Sequence, residues 1–216
     1  MWKDISTGIR QGMVQWPCDR KLSIEKDLSI ENGEEANVSS IETCLHLGTH
    51  VDAPLHFNTN GHDITKYSLA QLTGRARVIY LPGIKEISVA HLIELEISEG
   101  DKILLKTNNS KTNWVMEPFN ENFVALTADA AQYLSDCKID LIGIDYLSIA
   151  MPSDNTEVHQ KLLKNNICIL EGLLLQDIEE GLYEFVCLPI NIQNSDGAFA
   201  RVIIREQGWG EGIKSE

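Results

Sequence analysis

The chain has 216 residues, of which 43% are hydrophobic, and a formal net charge of −14 at pH 7. This size and composition are sufficient for one buried core, so we expect a single domain over residues 1–216. The acidic balance argues against a nucleic-acid partner, which requires clustered lysine and arginine. No run reaches the ~18 uninterrupted apolar residues of a membrane-spanning helix, and the first six residues lack the apolar stretch of a secretory signal.

The cysteines indicate a reducing compartment. There are five of them, widely spaced and without a Cys-x-x-Cys pair. Neither a disulfide framework nor a zinc or redox motif is therefore expected. We interpret them as reduced thiols of a cytoplasmic protein, because disulfides persist mainly in oxidising compartments.

The pattern of apolar residues predicts a domain richer in strands than in helices. In chain order it predicts a strand over 37–47, a strand over 75–81, a helix over 88–95, a strand over 102–107, a helix over 127–137, a strand over 139–144, a helix over 155–165, and strands over 167–171, 183–192 and 199–205. Strands outnumber helices by about two to one. This favours a strand-rich, mixed-sheet α/β fold over a doubly wound parallel sheet.

Three of the six histidines, with one aspartate, fall within the segment His46-Leu-Gly-Thr-His50-Val-Asp52-Ala-Pro-Leu-His56. Imidazole and carboxylate together suit zinc, manganese or iron better than calcium or magnesium, which prefer oxygen ligands. The four polar residues are all separated by even numbers of positions, so an extended backbone would direct their side chains to one face. A helix would turn Asp52 roughly 200° away from His50 and would run into Pro54.

A straight strand cannot bring these side chains to one ion. Ten extended steps would span ~33 Å, whereas ligand atoms lie about 2 Å from their ion, so the chain must bend. Gly48 and Pro54 are the predicted bends. We predict that the metal ligands are His46, His50 and Asp52, and that His56 is a general acid or base beside the metal. The alternative is a set of surface or core histidines without an ion.

Two residues from the C-terminal half are candidates to complete the site. His159 lies in a predicted helix with Leu162 and Leu163 at i+3 and i+4, so it can face inward. Glu171 follows the apolar strand 167–170. A carboxylate in this position is either a solvated strand end or a residue delivered to a site at the edge of the sheet.

The eleven-residue segment resembles the signature H-x-G-T-H-x-D-x-P-x-H of the cyclase / kynurenine formamidase (arylformamidase) family of metal-dependent hydrolases, and it meets every fixed position. The likeness extends over nearly the whole chain, through Asp4-Ile5-Ser6, Trp16-Pro17, Leu104-Leu105-Lys106-Thr107, Gly143-Ile144-Asp145, Ile169-Leu170-Glu171-Gly172-Leu173 and Leu188-Pro189. The resemblance implies a fold of the swivelling β/β/α type, which agrees with the strand-rich pattern.

The resemblance also implies the roles of six residues. It implies one or two divalent ions, zinc first and manganese as the alternative, held by His46, His50 and Asp52 and, in two-metal members, by His159 and Glu171. It makes His56 the catalytic residue and leaves open whether Asp52 or Glu171 bridges two ions. A metal of this kind lowers the pKa of a coordinated water from about 15.7 towards about 7. Family members cleave the formamide of N-formylkynurenine or the lactam of isatin, and they are commonly homodimers.

Two departures from the family bear on the substrate. Cys18 stands where the formamidases usually have glycine after Trp-Pro, and Tyr146-Leu147-Ser148 stands where Thr-Pro-Ser is usual. Trp16, Tyr146 and Trp114 are candidates to stack on an aromatic substrate, or to belong to the core. We predict a hydrolase of a small amide, with N-formylkynurenine as the first candidate. The alternatives are an isatin-type cyclic amide or lactone hydrolase, and a non-catalytic metal or small-ligand binding protein.

Overall fold

A closed, mixed β-sheet forms the centre of the computed structural model, which describes residues 1–206. Residues 207–216 of the predicted domain lie outside the described part. The ten strands of the described part are β1 (Lys3–Asp4), β2 (Ser23–Leu28), β3 (Val38–Glu42), β4 (His50–Asp52), β5 (Thr73–Tyr80), β6 (Lys102–Lys106), β7 (Leu141–Ile144), β8 (Cys168–Glu171), β9 (Gly181–Pro189) and β10 (Gly197–Glu206).

The order of the strands closes the sheet on itself. Neighbours run β10-β4-β8-β7-β6-β5-β9, and the other edge of β9 pairs with β10 and closes the sheet. The short strand β1 also pairs with β10. Strands β5 to β8 are mutually parallel, and the remaining pairs of this sheet are antiparallel. This architecture confirms the prediction of a strand-rich, mixed-sheet α/β fold.

Side chains alternate between the inside of the closed sheet and a layer of helices. The described α-helices are α1 (Leu69–Leu72), α2 (Val89–Leu92), α3 (Ala128–Asp136) and α4 (Asn155–Leu163). On β8, Leu170 belongs to the inner cluster and Ile169 to the cluster that packs on α3 and α4. Each fully buried aliphatic side chain stabilises this arrangement by about 1.5–3 kcal/mol. None of the helices in residues 1–206 has the length and apolar character required to cross a membrane.

Several element boundaries differ from the predictions. The strand predicted over 37–47 ends at Glu42, and the extended face predicted over 46–56 is a strand only at His50–Asp52. The predicted bends explain this, because Gly48 has a left-handed φ of +62° and Pro54 begins a 3-10 turn over Pro54–His56. The helix predicted over 88–95 is shorter and spans Val89–Leu92.

Strands β2 and β3 form a separate two-stranded hairpin. Their register places Ile24 opposite Ile41, and these two residues are 43% and 52% exposed. An isolated two-stranded hairpin is marginally stable in water. The hairpin therefore adds apolar surface to the molecule rather than core.

Candidate active site

Strand β4 carries the centre of the histidine and aspartate segment into the closed sheet. It lies between β8 and β10, with His50 opposite Glu171 and Asp52 opposite Gly197. Because strand side chains alternate, Val51 enters the inner core while His50 and Asp52 point to the face that carries α4. The register therefore brings together residues that are more than a hundred positions apart in the chain.

A close crossing of two backbone segments fixes the approach to β4. Gly172 has a φ of +74°, and a Cβ atom placed on it would lie 2.0 Å from the Gly48 carbonyl oxygen. The hydroxyl groups of Thr7 and Thr49 both donate to the Gly172 carbonyl, at 2.7 and 2.6 Å. The crossing has no room for a side chain at position 172, so glycine is required there.

The centre of the site is a buried cluster of two imidazoles and two carboxylates. His50 Nε2 lies 3.2 Å from Glu171 Oε2 and 3.4 Å from Asp52 Oδ1. His159 Nε2 lies 3.3 Å from Glu171 Oε1 and 3.5 Å from Asp52 Oδ2. The structure thus brings His159, from helix α4, and Glu171, from the end of β8, to the segment predicted from the sequence.

Backbone carbonyls orient both imidazoles of the cluster. His50 Nδ1 donates to the Gly48 carbonyl at 3.1 Å, and His159 Nδ1 donates to the Asn155 carbonyl at 2.7 Å. A proton on each Nδ1 leaves the Nε2 lone pair directed at the cluster. This is the tautomer of a histidine that binds a metal through Nε2.

A second pair of histidines lies beside this cluster. The rings of His46 and His56 stack with centroids 3.9 Å apart. His46 Nδ1 is 2.8 Å from Asp52 Oδ1, and its Nε2 is 3.2 Å from Asp196 Oδ2. The same Asp196 oxygen lies 3.6 Å from His56 Nδ1. One carboxylate oxygen therefore faces both stacked rings.

The donor atoms of the cluster fit a divalent cation. Among residues 1–206, two groups of three could hold an ion, His46 with Asp52 and His56, and His50 with Asp52 and Glu171. His50 Nε2 and Asp52 Oδ2 are buried without a hydrogen-bond partner. Leaving such atoms unsatisfied costs about 1–3 kcal/mol each, and coordination of a cation would satisfy both. Asp52 is the residue that the two groups share.

The electrostatics of the cluster lead to the same conclusion. Burial opposes a charged imidazole, but Asp52 and Glu171 outweigh it and raise the pKa of His50 to about 10. Burial is likewise outweighed at His46, where the charge of Asp52 and a hydrogen bond to Asp196 raise the pKa to about 9. The two buried carboxylates thus demand positive charge beside them. Protons on imidazoles or a bound cation can supply it.

The cluster opens into a cavity of about 190 Å³. Its lining includes Trp16, Asp19, His46, His56, Phe57, Leu147, Ser148, Asn155, His159 and Glu171. Trp16, which the sequence predicts as an aromatic contact for the substrate, lines this cavity. Tyr146 does not line this cavity, because its ring stacks on Phe123 with centroids 4.5 Å apart and is buried in the core.

A larger cavity, of about 720 Å³, lies elsewhere in the described part of the molecule. Tyr146 and Trp114 contribute to its walls, and none of the histidines does. The larger cavity therefore lacks the histidine cluster, and the cavity that contains the cluster is the smaller of the two. The smaller cavity is the candidate active site, because it alone of the two contains titratable groups held against one another.

Three residues of the site were missed by the sequence analysis. Phe57 stacks on His159 with centroids 4.6 Å apart, Asp196 faces two histidines, and Asp19 lines the cavity. Phe57 directly follows the motif, and Asp19 follows Trp-Pro-Cys, so both lay next to residues already singled out. The only sequence signal for Asp196 was the Asp-Gly pair at the start of β10.

Comparisons with known proteins agree with this geometry. The Cyclase family model matches residues 3–151. The kynurenine formamidase of Bacillus cereus (strain ATCC 14579) is 33% identical over 206 residues, covering 94% of this chain and 97% of the relative. The kynurenine formamidase of Bacillus mycoides is 33% identical over 207 residues, with the same coverage of both chains.

Solved structures extend the comparison to the fold. A structure described as a potential metal-dependent hydrolase with cyclase activity superposes with a TM-score of 0.84 at 31% identity, covering 96% of this chain and 99% of that chain. Isatin hydrolase A from Labrenzia aggregata has a TM-score of 0.78 at 18% identity and covers 94% of this chain and 93% of its own. The second likeness shows a common fold alone.

Proposed function

We propose that this chain, which belongs to the Cyclase family, is a metal-dependent hydrolase that cleaves the C–N bond of a small amide. The observation that carries the proposal is the buried cluster in which His50 Nε2 and Asp52 Oδ2 have no hydrogen-bond partner. Its kynurenine formamidase relatives make N-formylkynurenine the first substrate to test.

We propose that His46, His50, Asp52, His159 and Glu171 hold one or two divalent ions. Asp52 would be the central holder of the metal, because its carboxylate lies 2.8 Å from His46 Nδ1, 3.4 Å from His50 Nε2 and 3.5 Å from His159 Nε2. A ligand set of imidazoles and carboxylates favours zinc, with manganese as the second candidate. Such an ion supplies Lewis acidity, which acidifies water and polarises the amide carbonyl.

His56 is the proposed proton carrier. Hydrolysis forms a C–O bond from water, breaks the C–N bond and moves one proton from the water to the leaving nitrogen. The His56 side chain is 28% exposed and lines the cavity, whereas those of His50 and His159 are 1% and 3% exposed. His56 can therefore reach a substrate that the buried imidazoles cannot, as a general acid or base must.

Asp196 is the proposed positioning residue for His56. Its Oδ2 atom, 3.6 Å from His56 Nδ1, favours a proton on that nitrogen and leaves Nε2 for the reaction. Trp16 and Phe57 are the proposed aromatic contacts for the substrate, since both line the cavity. Tyr146 is not retained, because it lines the larger cavity, which contains none of the histidines.

We also propose a cytoplasmic homodimer. All five cysteines are free thiols, as expected in a reducing compartment. The exposed apolar pair Ile24 and Ile41 on the hairpin β2–β3 gives a second copy a surface to cover. Light scattering coupled to gel filtration measures the mass directly, and a monomeric mass would contradict the dimer.

The test is turnover by protein loaded with zinc or manganese. The panel contains N-formylkynurenine, a formanilide, isatin and a lactone, and we expect the formamides to be hydrolysed. Stoichiometric metal without turnover of any compound would favour the non-catalytic binding protein. Turnover of isatin alone would favour the cyclic-amide hydrolase.

A matched pair of histidine variants assigns the proton carrier. His56→Ala should lower kcat by about 10²- to 10⁴-fold, the usual contribution of general acid–base catalysis. His62→Ala is the control, because His62 pairs with Asn166 and lies outside the cluster. Full turnover by His56→Ala would remove His56 from the mechanism.

A further inference from the structure

The larger cavity, of about 720 Å³, is separate from the candidate active site. The described linings of the two cavities have no residue in common. They meet at one chain segment, in which Tyr146 borders the larger cavity and the next two residues, Leu147 and Ser148, border the smaller one. Pockets that bind small molecules measure about 300–1,000 Å³. The larger cavity can therefore take a small ligand of its own.

Three aromatic rings form one wall of the larger cavity. The ring of Tyr146 stacks on Phe123 with centroids 4.5 Å apart and lies 5.2 Å from the ring of Trp114. Trp114 is only 4% exposed, yet its indole N–H has no hydrogen-bond partner within residues 1–206. Unlike His50 Nε2, this nitrogen is not fully enclosed by protein. Because buried donors are nearly always paired, the indole N–H is a point at which a ligand in the cavity would be bound.

Two opposite charges border the same cavity. Lys85 and Glu117 belong to its lining, and both residues are exposed, whereas the three aromatic residues are buried. Within the described part of the chain, neither Lys85 nor Glu117 forms an ion pair, with the other or with a third residue. Both charged groups are thus open to a ligand. An aromatic wall beside one cation and one anion is complementary to a ligand that carries a ring and both charges.

We infer that the larger cavity is a second binding site, and that its ligand is the zwitterion of an aromatic amino acid. The ring of the ligand lies against the aromatic wall. The ammonium group pairs with Glu117, and the carboxylate accepts from Lys85 and from the indole N–H of Trp114. A ligand with a single charge leaves either Lys85 or Glu117 without a partner, so the zwitterion is preferred over both singly charged analogues.

Three ligands with the same ring and nearly the same size test the inference, by calorimetric titration of the metal-loaded protein. L-Phenylalanine carries both charges, 2-phenylethylamine carries only the ammonium group, and 3-phenylpropanoate carries only the carboxylate. We expect L-phenylalanine to bind about two- to fivefold more tightly than either analogue, the value of one exposed ion pair. Equal or tighter binding of an analogue overturns the inference, and so does the absence of L-phenylalanine binding.

Two variants that each remove one charge locate the ligand. Lys85→Gln should bind L-phenylalanine no more tightly than 2-phenylethylamine, and Glu117→Gln should bind it no more tightly than 3-phenylpropanoate. Lys111→Gln is the control and should keep the wild-type preference, because Lys111 is exposed and lies outside the lining.

The outcomes do not depend on the proposed function, because calorimetry measures binding and not turnover. If Lys85→Gln and Glu117→Gln both keep the wild-type preference, the amino acid binds elsewhere, for example at the metal, and the inference is overturned. An equal loss of preference in Lys111→Gln also overturns it, because the effect would then come from the overall charge. Thermal unfolding checks that the variants are folded; if one is not, the other variant and the wild-type order decide.

Discussion

The floor and the rim of the candidate site are built in opposite ways. The floor consists of β4 and the crossing of Gly48 with Gly172, where backbone atoms are in contact and side chains are almost fully buried. The rim is the turn that carries Trp16, Cys18 and Asp19, and it is exposed or half-buried. A crowded floor can hold charges in fixed positions, whereas a turn with few contacts can change with little cost. We therefore expect substitutions at the floor to reduce activity or stability more than substitutions at the rim.

The largest expected effect is at Asp52, the centre of the floor. Asp52→Asn keeps the shape of the side chain but removes the charge that both candidate ion groups share. We expect this variant to lose metal from both groups. Its kcat/KM should fall by about 10³-fold or more, because the electrostatic stabilisation that a catalytic metal supplies is lost with the ion.

Elemental analysis tests this prediction by comparing the metal content of Asp52→Asn with that of Glu171→Gln and of the wild type. Glu171 belongs to one of the two groups, so its variant should retain one ion where the wild type holds two. Equal metal content in Asp52→Asn and the wild type would contradict the central place of Asp52.

Gly172→Ala tests the crowding of the floor directly. Its Cβ would lie 2.0 Å from the Gly48 carbonyl oxygen, so the backbone must move, and we expect a loss of about 3 kcal/mol or more in the free energy of unfolding. Gly83→Ala is the matched control, because Gly83 also has a positive φ, of +75°, but has open space around its Cβ position. It should lose only about 0.5–1 kcal/mol, because the ~1–2 kcal/mol cost of the left-handed conformation is partly offset by the ~0.4–1 kcal/mol of unfolded-chain freedom that alanine removes. Equal losses in urea unfolding would mean that the crossing is not tight.

The sequence predicted the floor better than the rim, for physical reasons. Ligand chemistry constrains residue type and spacing, so His46 to His56 could be read locally, and the bends at Gly48 and Pro54 followed from the length of the segment. The position of Asp196 beside His46 and His56 depends on the register of β10 against β4, and no local sequence pattern encodes that register. Tyr146 illustrates the converse, because an aromatic residue in a core and one in a binding site have the same local sequence signal.

A smaller effect is expected at Asp196, which connects the floor to the cavity. Asp196→Asn should lower kcat about 10- to 100-fold, the usual cost of removing an outer hydrogen-bond partner of a functional histidine. Unchanged metal content would indicate that Asp196 acts through His56, and reduced content that it acts through His46. Asp177→Asn, an exposed carboxylate outside the cavity, is the control. An unchanged kcat would leave Asp196 without a positioning role.

The smallest effect is expected on the rim, at Cys18. This residue has a φ of +74°, a conformation that costs a residue with a Cβ about 1–2 kcal/mol and glycine almost nothing. Cys18→Gly removes that strain, but glycine also gains about 0.4–1 kcal/mol of freedom in the unfolded chain. A net stabilisation of about 0.5 kcal/mol should remain. Cys18→Ala keeps the Cβ and the strain, so its unfolding midpoint should match that of the wild type. If Cys18→Gly instead destabilises the protein by more than the entropy term, the Cys18 side chain makes contacts that stabilise the turn, and the rim is less independent of the floor than its exposure indicates.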